Sequence, residues 1–213
     1  MMARGCFIAL EGGEGAGKST QARLLADALI SRGIDVVLTR EPGGTLGAEA
    51  IRELLLHPPG EGWEAEAEAL LFAAARSDHV ARLIRPSLDA GKWVICDRFV
   101  DSSRAYQGGA GGIGDEAVKT LHRIGSGDLR PDITILLTVD PAAVTRRLKA
   151  RDGDRSDAIG GRSTAYHATV AETFTHIAAE NTDAFATIDG SGSPNEVHAR
   201  VFSAIEPLIG RRQ

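Results

Sequence analysis

The segment EGGEGAGKST, residues 11–20, carries the residue types that bind a polyphosphate. It contains the spacing Gly-x-x-x-x-Gly-Lys-Ser, which begins at Gly12 and ends at Ser19. In such a loop, backbone N–H groups and a helix N-terminus converge on anionic oxygens. Lys18 is then expected to reach the β- and γ-phosphates of a nucleotide, and Ser19 to ligate Mg²⁺. The predicted ATP-binding residues are Gly12, Gly13, Glu14, Gly15, Ala16, Gly17, Lys18, Ser19 and Thr20.

Short apolar runs alternate with amphipathic segments along the chain. The runs CFIAL, VVLT, WVICD, ITILLTV and FATID predict strands with helices between them. Strands separated in this way form a parallel sheet that helices cover on both faces. We therefore predict an α/β fold of the P-loop NTPase type, with a five-stranded parallel sheet flanked by helices on both faces. One domain is expected to span residues 1–213.

Several helices have clear sequence signals. One is predicted from about Gly17 to Arg32, and a long helical region carries EALLFAAARSDHVARLI, residues 68–84. Ser193 and Glu196 form a capping-box pattern before a last amphipathic helix. The segment ARDGDRSDAIGGRS, residues 150–163, is polar and lacks an apolar period. We interpret it as a mobile lid, with an ordinary surface loop as the alternative.

The composition excludes several classes of protein. A formal net charge of -5 argues against a nucleic-acid-binding protein, which usually carries a basic face. The first apolar run stops at Glu11, and the chain has neither a signal-peptide core nor a transmembrane stretch. Cys6 and Cys96 lie in apolar runs and are predicted to be buried free thiols. We expect a cytoplasmic protein without nucleic-acid or membrane partners.

A second glycine motif is present further along the chain. Gly109, Gly111 and Gly114 satisfy Gly-x-Gly-x-x-Gly, the spacing of a dinucleotide site. The motif follows the polar segment SSRAYQ rather than a strand. We therefore interpret it as a flexible loop between helices.

Cationic side chains follow the predicted strands. Arg40 comes after VVLT, and Arg98 comes after WVICD. Because the carboxyl ends of parallel strands face one crevice, these residues and Lys18 are expected to converge there. Three cations in one crevice indicate more than one phosphate group. Arg23, Arg32 and Arg82 do not follow strands and are expected to be ordinary surface arginines.

In several of these segments the chain resembles the bacterial thymidylate kinases. The matching stretches are EGGEGAGKST, TREPGGT (residues 39–45), AIREL, LFAAAR (71–76), DRFVDSSRAYQG (97–108) and PDITILL. The resemblance implies transfer of the ATP γ-phosphoryl group to dTMP, which gives dTDP and ADP in dTTP biosynthesis. It also implies Mg²⁺ as cofactor and a homodimer. Another nucleoside monophosphate or small-molecule kinase is the alternative, and it would not need the base-site residues described next.

The resemblance also implies roles for the acceptor-side residues. Phe72 would stack on the thymine ring, while Arg76 would donate to a base carbonyl. Glu14 would point away from the ATP phosphates toward the 3′-OH of the acceptor, and a glutamate merely exposed on the loop is the alternative. Arg40, Arg52 and Arg98 would hold the acceptor phosphate, and Glu41 would support that arginine cluster. Asp97 would help to position Mg²⁺ or its water shell. The full set implied for substrate binding is Glu14, Arg40, Glu41, Pro42, Arg52, Phe72, Arg76, Arg98, Ser102, Ser103, Tyr106 and Gln107.

The phosphate loop reads GGEGAG and contains no arginine. In the family that the chain resembles, the transition-state arginine then comes from the lid. Arg151 and Arg155 are the candidates, with Arg147 as a supporting cation and Arg162 as a further residue that could share the role. The residues implied to be catalytic are Lys18, Arg98, Arg151 and Arg155.

Overall fold

A computed structural model describes residues 4–152 and 158–210, without the side chains of residues 145 and 148–152. Its sheet has five strands in the order β2-β3-β1-β4-β5. All four pairings are parallel, which confirms the predicted fold. The strands are β1 (Phe7–Glu11), β2 (Val36–Arg40), β3 (Trp93–Asp97), β4 (Ile133–Thr138) and β5 (Phe185–Asp189).

Helices connect the strands within the described residues. Two π-helical segments, Val80–Ile84 and Arg104–Ala110, interrupt the α-helical path. The predicted helical region 68–84 is therefore divided, since its α-helix ends at His79. The α-helices are α1 (Lys18–Ile30), α2 (Leu46–Leu56), α3 (Ala65–His79), α4 (Arg85–Asp89), α5 (Val100–Ser103), α6 (Asp115–Ser126), α7 (Pro141–Asp152), α8 (Thr164–Glu180) and α9 (Pro194–Gly210).

Apolar side chains pack on both faces of the sheet. On one face, Ile8 and Leu10 of β1 contact a cluster that includes Leu25 of α1 and Val201 of α9. On the other face, Phe7 packs among residues of β3, α4 and α6. Alternate residues of β1 thus point to opposite faces, and both faces are buried. The central strand is held rigidly, which fixes the position of the loop that follows it.

The predicted capping box is present at the start of α9. The Ser193 backbone N–H donates to Glu196 Oε2 at 2.7 Å, and the Glu196 N–H donates to Ser193 Oγ at 3.4 Å. Cys6 and Cys96 are buried free thiols, as predicted. None of the helices in residues 4–152 and 158–210 has the length and hydropathy of a membrane span.

The second glycine motif is only partly a loop. Gly109 lies inside the π-helical segment, close to Thr173 of α8. The interpretation of all three glycines as one loop was therefore wrong, because close packing against α8 keeps Gly109 helical. The predicted lid also differs at its start, since residues 150–152 continue α7. Its central part lies outside the described residues.

Substitution of Leu25 tests the packing beneath the phosphate loop. Leu25 is fully buried in the α1–sheet cluster, whereas Ile30, at the end of the same helix, is 55% exposed. Leu25→Ala is expected to lower the free energy of unfolding by roughly 2 to 5 kcal/mol, because it removes buried methyl groups and leaves a cavity. Urea denaturation measures this loss. Ile30→Ala is the control and should change the value by less than about 0.5 kcal/mol; equal losses would contradict the assigned packing.

Candidate active site

The phosphate loop connects the end of β1 to the start of α1. Gly12 has a φ of 138°, and a Cβ atom at this position would lie 2.5 Å from the carbonyl oxygen of Leu137. Gly17, the N-cap of α1, has a φ of 98°. Only glycine readily adopts a positive φ and tolerates so close a backbone contact. Gly12 and Gly17 therefore allow this path of the backbone. The loop therefore leads into the N-terminus of a helix, where backbone N–H groups bind anions.

Lys18 is buried beneath the loop that it follows. Its Nζ donates to the carbonyl oxygens of Gly12 at 3.0 Å and Gly13 at 2.8 Å. Burial, together with the nearby charge of Arg98, lowers its pKa to about 8. The ammonium group is thus held at the loop by neutral acceptors. An anionic ligand there would restore the preference for the charged form.

Ser19 and Asp97 provide hard oxygen atoms beside the loop. The Ser19 hydroxyl donates to Asp97 Oδ2. The two residues meet because β1 and β3 are neighbours, with Leu10 paired to Asp97. Mg²⁺ commonly uses one or two such protein ligands plus water and phosphate oxygens. This oxygen pair fits Mg²⁺, and no cluster of three or more acidic, histidine or cysteine ligands occurs within the described parts of the chain.

A cavity of about 590 Å³ extends from the phosphate loop toward α3 and the second π-helical segment. Lys18, Arg40 and Arg98 all line it, so the cations that follow the strands do share one crevice. Among the predicted site residues that the structure describes in full, Gly12, Gly13 and Ala16 do not line the cavity. Those that do are Glu14, Gly15, Gly17, Lys18, Ser19, Thr20, Arg40, Glu41, Pro42, Arg52, Phe72, Arg76, Asp97, Arg98, Ser102, Ser103, Tyr106 and Gln107.

Arg98 lines this cavity and contacts both the phosphate loop and the second π-helical segment. It has a φ of 70°, a left-handed conformation that is unusual for a side chain of this size. Its Nη2 donates to Glu14 Oε1 at 2.5 Å and to the Tyr106 hydroxyl at 3.2 Å. Its Nη1 donates to Ser102 Oγ at 3.1 Å. The strained backbone thus directs a guanidinium between the loop carboxylate and the π-helical segment.

A buried ionic network fixes Arg76 on α3. Its Nε donates to Glu41 Oε2 at 2.7 Å, and its Nη2 donates to Ser103 Oγ at 2.8 Å. His79 approaches the other Glu41 oxygen at 3.1 Å. The expectation that Glu41 supports the phosphate-binding arginines therefore needs correction. Glu41 pairs with Arg76 instead, because α3 packs directly over the segment that follows β2.

The remaining arginines of the cavity have other partners. Arg40 Nη2 donates to Glu49 Oε2 at 2.9 Å, and Arg52 Nη1 donates to the carbonyl oxygen of Pro42 at 2.7 Å. Both contacts lie on the side of the cavity formed by β2 and α2. Pro42 therefore contributes a backbone acceptor.

Two further arginines bear on the sequence predictions. Arg147 of α7 lines the cavity and donates from Nη2 to the carbonyl oxygen of Gly190 at 2.9 Å. Arg23 is exposed, as expected for a surface arginine, and its side chain also borders the cavity. It lies one helical turn after Ser19, a spacing that places both side chains on one face of α1. Arg155 and the side chain of Arg151 lie outside the described residues.

The sequence interpretation missed Glu11, the last residue of β1. It is fully buried and accepts hydrogen bonds from the backbone N–H groups of Phe99 at 2.8 Å and Ser102 at 3.1 Å. The Ser102 hydroxyl donates to its other oxygen at 2.5 Å. Burial, and then the charge of Asp101, raise the pKa of Glu11 to about 7. The sequence did contain a signal for this residue, because Glu11 is an acid placed directly after the apolar run CFIAL.

A second acid was also missed. Glu68 of α3 is 6% exposed and accepts a hydrogen bond from Gln107 Nε2 at 2.9 Å. It also pairs with Arg162, at the end of the predicted lid. Arg162 Nη1 donates in turn to the Tyr166 hydroxyl at 2.5 Å. The sequence offers little indication of this cluster, because its members are far apart along the chain.

Together the fold and the loop define the class of protein. A glycine-lysine loop that follows the central strand of a five-stranded parallel sheet is the arrangement of a P-loop NTPase. Comparison with known proteins then gives the family. The family model described as thymidylate kinase matches residues 10–201. The chain belongs to the thymidylate kinase family.

Individual relatives agree over nearly the full length. A protein of Rhizorhabdus wittichii named thymidylate kinase is 56% identical over 205 residues, which are 96% of this chain and 99% of that protein. A Bradyrhizobium protein of the same name is 45% identical and covers 97% of this chain and 92% of its own length. The crystal structure of thymidylate kinase from Ehrlichia chaffeensis has a TM-score of 0.76 and 35% identity, and the match covers 95% of this chain and all of that one.

The titration of Glu11 predicts a pH dependence of stability. Its ordinary pKa of 4.5 rises to about 7 in the folded protein, so the folded state holds the proton more tightly. The stabilisation from the protonated form is complete below about pH 4.5 and is lost as the pH rises through about 7. Between these values the slope contributed by Glu11 reaches about 1.4 kcal/mol per pH unit.

Denaturation of the wild type and of Glu11→Gln across pH 5 to 8 measures this slope. The amide stays neutral, so the free energy of unfolding of the wild type is expected to fall relative to that of the variant as the pH rises. Parallel curves for the two proteins would contradict the assignment.

Proposed function

We propose that this protein is an ATP-dependent thymidylate kinase, which transfers the γ-phosphoryl group of ATP to dTMP and yields dTDP and ADP for dTTP biosynthesis. The single observation that carries the proposal is the set of residues that line one cavity. They include Lys18 of the phosphate loop, Arg98 after β3, and Phe72 with Arg76 on α3. One continuous space thus offers a phosphate site, a second cationic site and an aromatic site.

The donor side binds ATP at the phosphate loop. Lys18 and the N-terminus of α1 face the β- and γ-phosphates. Ser19 and Asp97 would hold Mg²⁺, which when bound neutralises charge on the phosphates. Arg23 lies on the same helix face as Ser19 and adds positive charge at this end of the cavity.

The acceptor side binds dTMP. Arg98, Arg40 and Arg52 hold its phosphate between the loop and α2. Phe72 is half-buried on the cavity wall and stacks on the thymine ring. Within the described part of the chain, Arg76 Nη1 has no hydrogen-bond partner, so it can donate to a base carbonyl.

Four polar residues complete the acceptor side in this proposal. Tyr106 packs against the deoxyribose, and Gln107 binds the base. Ser102 and Ser103 act through the arginines that they contact, Arg98 and Arg76 respectively.

The ion pair with Arg98 supports a role for Glu14 on the acceptor side. Its carboxylate pairs with Arg98, which orients it toward the acceptor side of the loop. There it can accept a hydrogen bond from the 3′-OH of dTMP. In this proposal Glu14 contacts the acceptor nucleotide and does not repel the phosphates of ATP.

Transfer proceeds in line from ATP to a phosphate oxygen of dTMP. The second pKa of a phosphate ester is about 6, so the acceptor is largely ionised at neutral pH and no strong general base is required. The protein supplies orientation and positive charge, and no covalent intermediate with the enzyme forms. Arg151 and Arg155 are proposed to neutralise the transition state, and Arg147 supports them from the middle of α7.

A substrate panel tests this function. ADP release is measured with ATP, Mg²⁺ and dTMP, dUMP, dGMP, CMP or AMP, or with no acceptor, for the wild type and Lys18→Ala. ADP should form chiefly with dTMP, and Lys18→Ala should reduce kcat at least about 100-fold, since it removes a cation at the transferred group. Lys92→Ala is the control, because Lys92 pairs with Asp35 on the surface. Acceptor-independent hydrolysis, or normal turnover of Lys18→Ala, would refute the proposal.

We also propose a cytoplasmic homodimer. Helix α3 packs against both α2 and α6. Each of these three helices carries a large exposed apolar side chain, namely Leu54, Leu70 and Ile124. A second copy of the chain would cover this surface and remove it from water.

A charged side chain introduced at this surface is expected to prevent dimer formation. Analytical ultracentrifugation at micromolar concentration should give a dimer for the wild type and a monomer for Leu70→Glu, because the new carboxylate would be buried without a partner. Ile30→Glu, on the exposed part of α1, is the control and should remain dimeric. A monomeric wild type would contradict the homodimer.

A further inference from the structure

Gln107 faces the cavity with only one side of its amide engaged. Its Nε2 donates to Glu68 Oε1 at 2.9 Å. Its Oε1 has no hydrogen-bond partner among the described residues, and the residue lines the cavity. Gln107 also lies one helical turn after Ser103, which binds Arg76. Gln107 and Arg76 thus both line the cavity, and within the described parts of the chain the amide oxygen of Gln107 and Nη1 of Arg76 remain available for a ligand.

The partner of Gln107 determines which end of its amide faces the cavity. An ionised carboxylate has acceptors and no donor. Glu68 can therefore bind only the NH₂ group of Gln107, and the C=O group must point the other way. The side chain of Gln107 is 2% exposed, so water has little access to stabilise a flipped amide.

Arg162 fixes the position of the Glu68 carboxylate. It donates to Glu68 Oε2, the oxygen that Gln107 does not use. Both oxygens of the Glu68 carboxylate therefore accept from donors, one from Gln107 and one from Arg162. The Tyr166 hydroxyl accepts from Arg162 and donates to the carbonyl oxygen of Tyr106 at 2.8 Å. The carboxylate is thus fixed from both sides.

We propose that Glu68 is a specificity-determining positioning residue, which orients the Gln107 amide so that the cavity accepts a base with an N–H donor beside a carbonyl acceptor. This inference rests on the proposed function, because it concerns how the same cavity selects its acceptor. Thymine presents a ring N3–H next to its O4, which matches the oxygen of Gln107 and the Nη1 of Arg76. Cytosine presents the opposite pattern at these two positions, so it is rejected.

The substitution Glu68→Gln is expected to reverse the amide of Gln107. The new side chain has one oxygen, and Arg162, which can only donate, takes it. The NH₂ group of residue 68 then faces Gln107, whose C=O turns toward it and whose NH₂ enters the cavity. Affinity for dTMP should fall about tenfold to hundredfold, because its N3–H then meets a donor. Affinity for dCMP should be unchanged or higher.

Isothermal titration calorimetry with dTMP and dCMP, in the absence of ATP, measures the affinity ratio directly. Glu68→Asp keeps an acceptor-only group and should retain the wild-type ratio within about threefold, even where both affinities fall. Glu66→Gln, on the exposed side of the same helix, should change neither affinity. Circular dichroism verifies that each variant is folded.

The outcomes separate the inference from the proposed function. A wild type that prefers dTMP, together with a Glu68→Gln variant of unchanged ratio, overturns the role of Glu68 alone. Equal weakening of both ligands in Glu68→Gln, or the same loss of ratio in Glu68→Asp, also overturns it, because the role would then be structural. A wild type that binds dCMP as tightly as dTMP refutes the proposed function itself.

Discussion

The site depends on holding several arginines close together inside one cavity. Buried charges are costly unless they are paired, and an unpaired cluster of cations would also repel itself. Each of the central arginines has its own carboxylate partner: Arg98 pairs with Glu14, and Arg76 pairs with Glu41. These acids set the direction of the guanidinium groups. The cavity therefore has both its charge and its geometry before any ligand is considered.

The sheet topology brings these opposite charges together. Glu11, Glu41 and Asp97 lie at or directly after the carboxyl ends of β1, β2 and β3, which are neighbours in the order β2-β3-β1. In a parallel sheet these ends share one edge, so residues separated by tens of positions become adjacent. Helix α3 then packs over the same edge and supplies Arg76 and Glu68. A short local motif thus forms the loop at one end of the cavity, while the fold supplies the rest of the cavity.

This division explains what the sequence could predict. The five strands followed from apolar runs, and the phosphate loop followed from its own spacing, because both signals are local. The partners of polar side chains are not local. Glu41 was expected to support the phosphate-binding arginines and instead fixes Arg76, and Glu68 reads in sequence as one of several acids in the first turns of a helix. Only packing shows which of those acids is buried and what it contacts.

Glu11 and Glu14, three residues apart, show how environment separates two identical side chains. Glu14 has a guanidinium partner, whereas the hydrogen bonds of Glu11 come from backbone N–H groups and the Ser102 hydroxyl. That hydroxyl donates to Glu11 and accepts from Arg98 Nη1, so a continuous chain of contacts runs from Glu11 through Ser102 and Arg98 to Glu14. Because a hydroxyl has one proton, its donation to Glu11 leaves its lone pairs available to Arg98. The buried acid at the end of β1 thereby orients the arginine that lies between the phosphate loop and the second π-helical segment.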